Sequence, residues 1–377
     1  MYNQLKHIIT ILAIAIIASS CRTLVYNIPD ESDYKIFPSR VIKNSPDSVF
    51  YFLKSDTLNN IGKVIITRYN ELLPDVKTLD DYLEGSKTAA FILIKNDTIL
   101  YSKYAGKYQE NSVFDIFSVT KAFITTLVEI AIDEGMIKNV DQSVTEYIPE
   151  LLEKEGFNEI TIRHLLLHTS GIEFSDSRFN PFADNARYYY GRNLRKLVLN
   201  AELHESPGEE VHYSSANVQL LVLILERATG TTLSSYLQEK VWQRIGMQYN
   251  ATWSLDNKRK NPVERGFSGL NCTAIDLAKL GRLYLNNGVW ADTQILSQSY
   301  VYEATKRDTT YGSTWDFQYS FRLGPKQYGS YYARGLYGQL LYIYPKKNII
   351  IVRMGEADLK YNPQFINEIV EQIIDQI

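Results

Sequence analysis

Extended apolar segments lie near both ends of the chain, and long helical patterns fill the space between them. Ala89 to Lys95 reads as a strand, Asn96-Asp97 as a turn and Thr98 to Lys103 as the returning strand of a hairpin. Far downstream, Gln339 to Tyr344 and Ile349 to Met354 read as a second hairpin around Pro345-Lys346-Lys347-Asn348. Phe317 to Leu323 and Tyr331 to Arg334 also look extended. Strands at both ends with helices between them imply one sheet built from both termini. The expected class is α/β (α+β): an antiparallel sheet flanked by helices, with a mostly helical inserted subdomain. The sheet part would cover about 46–117 and 305–377, and the helical part about 118–304. With 377 residues, 45% of them hydrophobic, the chain can bury a large core in one compound domain or two. A net charge of -3 excludes the basic footprint of a nucleic-acid binder.

Between the hairpins the helical readings follow periodicity and stop signals. Val49 to Leu83 reads as amphipathic helix, interrupted at Asn59-Asn60. A long apolar helix opens at Ser118 and runs to about Glu134, where Gly135 stops it. Thr161 to His168 is a short helix, and Ser215 to Thr229 is an apolar one ended by Gly230. Thr273 to Asn286 and Pro363 to Ile377 are also helical. Phe174 to Tyr190, dense in Asn, Pro, Asp and aromatics, reads as a long loop, and loops of that length are usually functional or disordered.

The N-terminus reads as a targeting segment. Lys6 precedes an almost pure Ile, Leu and Ala run from Ile8 to Ala18, too short for a finished transmembrane helix and right for a signal peptide. The run ends in Ala18-Ser19-Ser20-Cys21, which resembles a bacterial lipobox with Cys21 as the lipidated residue. It departs from the usual motif at Ala18, where Leu is commoner. The expected organisation is a lipoprotein signal peptide over 1–20, a polar tether over 21–45 and a folded domain over 46–377. The expected location is the bacterial cell envelope, periplasm-facing or surface, with the membrane as a partner through the lipid. Cys272 is then the one free thiol, so no intrachain disulfide can form.

Chemistry concentrates at Phe117-Ser118-Val119-Thr120-Lys121. Residues three apart at a helix start share one face, so Lys121 can reach Ser118. The helix start also favours developing negative charge at the serine. A hydroxyl nucleophile needs such a base and such a field. The pattern is common by chance, so partners must support it. A lysine acts as a base only when neutral, which burial beside donors or cations promotes. Tyr213, just before the helix at Ser215, is a candidate to share its proton. An oxyanion needs two aimed N–H groups, and the backbone of Ser118 and of Gln339 are the candidates. Gly338 would let a substrate approach the backbone there.

Ser118-x-x-Lys121, Tyr213-x-Ser215 and the Gly338-Gln339 strand entry resemble, in order and spacing, the serine β-lactamase and penicillin-recognising superfamily. The likeness is strongest to its class C branch, with the related esterases, D,D-peptidases and 6-aminohexanoate-dimer hydrolases. Thr161 to Gly171, Pro207-Gly208, Ala228-Thr229-Gly230, Gly246-Met247 and Gly269 to Ala278 carry supporting text, and the likeness spans about 80–375. It implies a β-lactamase/transpeptidase-like fold and an acyl-enzyme on Ser118, with Lys121 and Tyr213 as general base and acid. The middle motif ends in Ser215 where class C enzymes have Asn, and Leu336-Tyr337-Gly338 stands where Lys-Thr-Gly or His-x-Gly is usual. Both departures, with Trp253-Ser254-Leu255-Asp256, lean towards the esterase and nylon-oligomer hydrolase side.

Ser215, Tyr337, Gly338 and Tyr189 are the candidate substrate-binding residues, with Tyr188 to Tyr190 as a possible lid. His164 and His168 read as structural, and Asn217 as a helix-start residue. No histidine stands in a metal-ligand pattern, so no metal or cofactor is expected. No Gly-x-Ser-x-Gly elbow occurs, which argues against an α/β-hydrolase triad. The expected activity is cleavage of an ester or amide in a small molecule or short peptide. The alternatives are a β-lactamase or D,D-peptidase and, from another class, a non-catalytic cell-surface binding protein.

Overall fold

The computed structural model of the chain describes residues 26, 28–55, 60–67, 77–177, 180–314, 316–356 and 366–377. The signal-peptide and Cys21 expectations, and the start of the last helix at Pro363, lie outside the described residues. The strands are β1 (Ser39–Ile42), β2 (Leu53–Lys54), β3 (Thr88–Lys95), β4 (Thr98–Tyr104), β5 (Phe114–Asp115), β6 (Ala251–Ser254) and β7 (Leu270–Cys272). They continue with β8 (Val289–Trp290), β9 (Thr293–Gln294), β10 (Phe317–Gln318), β11 (Phe321–Leu323), β12 (Tyr331–Arg334), β13 (Leu340–Tyr344) and β14 (Ile349–Gly355).

The main sheet has eight strands in the order β10-β11-β12-β13-β14-β3-β4-β2. Every pairing is antiparallel except β2 with β4. Both hairpins form, and β14 joins β3 with Ile351 opposite Leu93, so the two ends of the chain do share one sheet. Near-continuous apolar strands are the signature of a sheet covered on both faces. Here Ile92, Ile94, Ile350 and Val352 face one core, beneath the Ala274–Leu285 helix. Phe91, Leu93, Ile349 and Ile351 face the other, against Leu79–Gly85 and Ile366–Asp375. The last helix buries Ile366, Ile369, Val370, Ile373 and Ile374, a single 3.6-period stripe. The Ala274–Leu285 helix lies close on the sheet because Gly281 has no side chain; a Cβ there would sit 2.8 Å from Leu341.

Three expectations are corrected. Val49 to Leu83 is not one helix: its described residues hold β2, a short turn at Asn60–Lys63 and a helix only over Leu79–Gly85. That helix begins where Thr78 and Asp81 form a reciprocal capping box. Residues 28–45 are not a tether. β1 pairs with β6, Phe37 and Ile42 are buried, and Asp33 accepts a 2.6 Å hydrogen bond from the Tyr190 hydroxyl. The 174–190 stretch ends in a helix, Asp184–Tyr190, because Tyr188, Tyr189 and Tyr190 each gain a buried environment. Within the mostly helical 118–304 part, β6 and β7 add a second, four-stranded sheet in the order β1-β6-β7-β5. That sheet delivers β5 to the start of the Ser118 segment.

One buried cation ties sheet to site. Arg353 on β14 donates to Ser86 O (2.7 Å), Thr88 Oγ1 (2.9 Å), Tyr337 O (2.9 Å) and Gly338 O (3.0 Å). Replacing it by leucine strands buried acceptors, each worth on the order of 1 kcal/mol or more. Arg353→Leu should lower unfolding stability by about 3 kcal/mol, read as a shift in urea midpoint at unchanged m-value.

Candidate active site

β5 runs into a tight turn, Phe117–Val119, and the helix proper starts one residue later, at Thr120. Phe117 has φ 44°, a left-handed conformation that a bulky residue adopts only under constraint. Asp115 supplies part of it, accepting from Phe117 N at 2.8 Å. The turn presents Ser118 at the mouth of a cavity while Lys121 points inward, 2% exposed. Lys121 Nζ donates to Ser118 Oγ at 3.0 Å and to Phe267 O at 2.8 Å. The three-residue spacing therefore delivers the contact it predicts.

Tyr213 closes the third side. Lys121 Nζ lies 4.8 Å from its ring centroid, and the phenol feels the Lys121 charge and the polar groups of Lys121 and Ser118. The residue lines the cavity and is 39% exposed. Burial alone would push this phenol's pKa up, but the Lys121 charge and the polar groups of Lys121 and Ser118 outweigh it, so the net shift is downward. Ser215 starts the Ser215–Thr229 helix and lines the same cavity.

The oxyanion expectation splits. Ser118 N–H finds no backbone acceptor among the described residues. Gln339 N–H is engaged, closing the Leu336–Gly338 turn onto Leu336 O at 3.2 Å, and its side chain is fully buried. That side chain bridges Asp115 O (3.2 Å) and the Gly355 backbone, accepting from Gly355 N at 2.6 Å. Gln339 is a brace rather than a cleft group. Gly338 likewise turns its carbonyl to Arg353 and not to the cavity. The glycine at close approach is Gly335, where a Cβ would lie 2.7 Å from Ile116 O and 3.1 Å from Phe117 Cβ. The next residue, Leu336, lines the cavity, and its N–H has no backbone acceptor among the described residues.

Tyr337 and Tyr189 reach the cavity as walls, both 5% exposed. The Tyr337 hydroxyl donates to Pro29 O, and its ring packs edge-on against Phe117. Tyr189 stacks on Phe117 and donates to Asp115 Oδ2 at 3.2 Å, so it braces rather than forms a free lid. The cavity holds about 330 Å³. Sequence reading missed Ile28, Pro29, Phe267, Ser268 and Leu336 in its lining. Only Leu336, beside Gly335, carried a usable signal: the sequence reading placed the close approach at Gly338, three residues further along.

A model of the beta-lactamase family, described as "Beta-lactamase", matches residues 77–361. The chain belongs to that family. Over 312 residues it is 26% identical to the 6-aminohexanoate-dimer hydrolase of Paenarthrobacter ureafaciens, covering 77% of this chain and 78% of that one. A solved Bacillus anthracis protein, provisionally assigned as a 6-aminohexanoate-dimer hydrolase, superposes with a TM-score of 0.79 at 23% identity, covering 92% of both chains. A family VIII carboxylesterase superposes at 0.61 with 18% identity, over 79% of this chain and 95% of that one. The antiparallel sheet with its helices is thus the β-lactamase/transpeptidase-like fold, and the chain is a hydrolase of the beta-lactamase family.

Beneath this beta-lactamase-family site Asp115 is buried, and its pKa is pushed up to about 7. Burial is the main cause; the Phe117 N–H and Tyr189 hydroxyl oppose it, as does the Arg265 charge, and Asp33 adds to it. A carboxyl raised in the folded state binds its proton more tightly than in the unfolded chain, where the ordinary value is 3.8. Stability is therefore lost as pH rises from about 4 to about 7 and is flat beyond. The difference in unfolding free energy between wild type and Asp115→Asn should move by a few kcal/mol in the variant's favour across that window, measured by urea titration at each pH.

Proposed function

We propose that the protein is a serine hydrolase that cleaves a small ester or amide through an acyl-enzyme on Ser118. The observation that carries this is the 3.0 Å contact between Lys121 Nζ and Ser118 Oγ, with the Tyr213 ring centroid 4.8 Å from the same Nζ. Tyr213, paired with Lys121, takes the Ser118 proton as Oγ attacks the substrate carbonyl carbon. The tetrahedral oxyanion is held by the N–H groups of Ser118 and Leu336. Collapse breaks the bond to the leaving alcohol or amine, which receives the proton from Tyr213. Water then gives a proton to Tyr213 and attacks the acyl-enzyme, and Ser118 departs protonated. No step calls for a metal or cofactor.

The relatives support an ester or amide substrate: one is named for an amide dimer and another is a carboxylesterase. The cavity wall is mostly apolar, from Phe117, Phe174, Phe267 and Leu336, which suits an acyl chain. Ser215, Tyr337 and Tyr189 would contact it there. A second reading is favoured by one observation. Arg334, one residue before Gly335, lies in electrostatic contact with Tyr213 and could pair with a carboxylate on a peptide or β-lactam. Turnover of nitrocefin above that of a short-chain ester would favour that reading.

We also propose that the chain is a lipoprotein of the bacterial envelope, held to the membrane at Cys21. The apolar run and the small residues before Cys21 support it. Incorporation of labelled fatty acid should vanish in Cys21→Ala, and persistence of the label would end this reading.

Ser118→Ala should lower turnover of p-nitrophenyl butyrate at least about 10³-fold and abolish labelling by a fluorophosphonate probe. Labelling and turnover equal to wild type would overturn the hydrolase mechanism. Leu336 allows a sharper test, because Gly335 is extended (ψ -179°) and so accommodates a following proline. Leu336→Pro deletes the N–H, and kcat should fall about 10²–10³-fold relative to Leu336→Ala. Equal kcat in the two variants would remove Leu336 from the oxyanion site.

A further inference from the structure

Sequence reading leaves His168 as a structural histidine, yet its surroundings all converge on Tyr213. His168 ends the Ile162–Leu167 helix with φ 60° and ψ 33°, a position where Gly or Asn is usual. A β-carbon is therefore kept there at some cost in backbone strain. The His168 carbonyl accepts from His212 N at 2.8 Å, and its Nδ1 accepts from Ser214 N at 3.0 Å. Its ring stacks on the Tyr213 ring, with centroids 4.6 Å apart and planes 25° from parallel. One residue thus holds the neighbour on each side of Tyr213 and the face of its ring.

The tautomer follows from the partners. Ser170 Oγ donates to Asn217 Oδ1 at 2.5 Å, which turns the Asn217 amide nitrogen towards His168 Nδ1, 3.3 Å away. With two donors facing Nδ1, the ring proton sits on Nε2, which is buried without a partner among the described residues. Burial, then the charges of Lys121 and Arg322, hold the imidazole's pKa well below its ordinary value. Phe317 packs edge-on against both rings, at 5.5 Å from His168 and 6.0 Å from Tyr213. A neutral ring under the phenol adds no charge to those of Lys121 and Arg322, which favour the phenolate.

We propose that His168 is a positioning residue for Tyr213, fixing the phenolic oxygen at the distance from Ser118 and Lys121 that proton transfer needs. This rests on the acid–base role given to Tyr213 above. Small displacements of a transferring group can cost up to about 10²-fold in rate. His168→Phe keeps a ring face and loses the Nδ1 acceptor; His168→Asn keeps an acceptor and loses the face. On p-nitrophenyl butyrate, each folded variant should lose about tenfold or more in kcat with KM within about threefold of wild type. In a Tyr213→Phe background the same changes should cost less than about twofold, because the group they position is gone. A merely structural role would cost the same in both backgrounds, and that result would overturn the proposal. So would kcat within twofold of wild type in either single variant. If one variant does not fold, the cycle with the other decides. Wild-type turnover in Tyr213→Phe alone would instead sink the acid–base reading; an impaired Tyr213→Phe with unimpaired His168 variants would sink only this one.

Discussion

The site depends on a buried amine. Lys121 is 2% exposed, and a charge so placed is costly unless its donors are met. Three separately folded segments meet them: the Phe117–Val119 turn with Ser118, the Tyr213 loop, and the chain around Phe267. The last is the least obvious and the most tightly held. Gln219, on the Ser215–Thr229 helix, donates to Glu264 O at 2.9 Å and accepts from Gly266 N at 3.2 Å. Gly266 passes so close to that helix that a Cβ would lie 2.1 Å from Val222. The helix whose N-terminus follows Tyr213 therefore also clamps the carbonyl that receives Lys121.

Part of the chain's backbone strain sits at the same place. Phe117, His168 and Tyr337 all have positive φ, although none is glycine. Such conformations cost about 1–3 kcal/mol each and persist only where packing over-determines them. The packing is visible: Phe117 lies between Tyr189 and Tyr337, and His168 between Tyr213 and Phe317. Asp115 and Gln339 link these rings to the backbone by hydrogen bonds. Preorganised donors and bases need such stiffness, since a site that reorganises during reaction loses part of its electrostatic advantage.

What could be read from the sequence was what is local. Ser118 and Lys121 are three apart on one segment, the two hairpins are each contiguous, and capping and glycine stops mark several helix ends. What could not be read was set by tertiary contact. β1 becomes a strand because β6 offers it an edge, so a polar-looking stretch became part of the domain. Asp184–Tyr190 becomes helical by burying three tyrosines in an environment built elsewhere. The error at Gln339 has the same origin. Which glycine approaches the Phe117 turn is decided by where β12 ends, and Gly335 and Gly338 look alike along the chain.

The division of labour follows from this. The groups proposed to react come from Phe117–Lys121 and Tyr213, each braced by buried polar contacts. The cavity walls come from different places: Ile28 and Pro29 from the N-terminal segment, Phe174 and Tyr189 from the region of the former loop, Leu336 and Tyr337 from the turn after β12. The wall at Pro29 is tied to the site by a hydrogen bond from the Tyr337 hydroxyl, and the Asp33 turn behind it by one from Tyr190. Substitutions in those walls can reshape the cavity without touching the Lys121–Ser118 contact. Motifs therefore report the chemistry of such a chain well and its substrate poorly, because the residues that choose the substrate are not the ones the chemistry constrains.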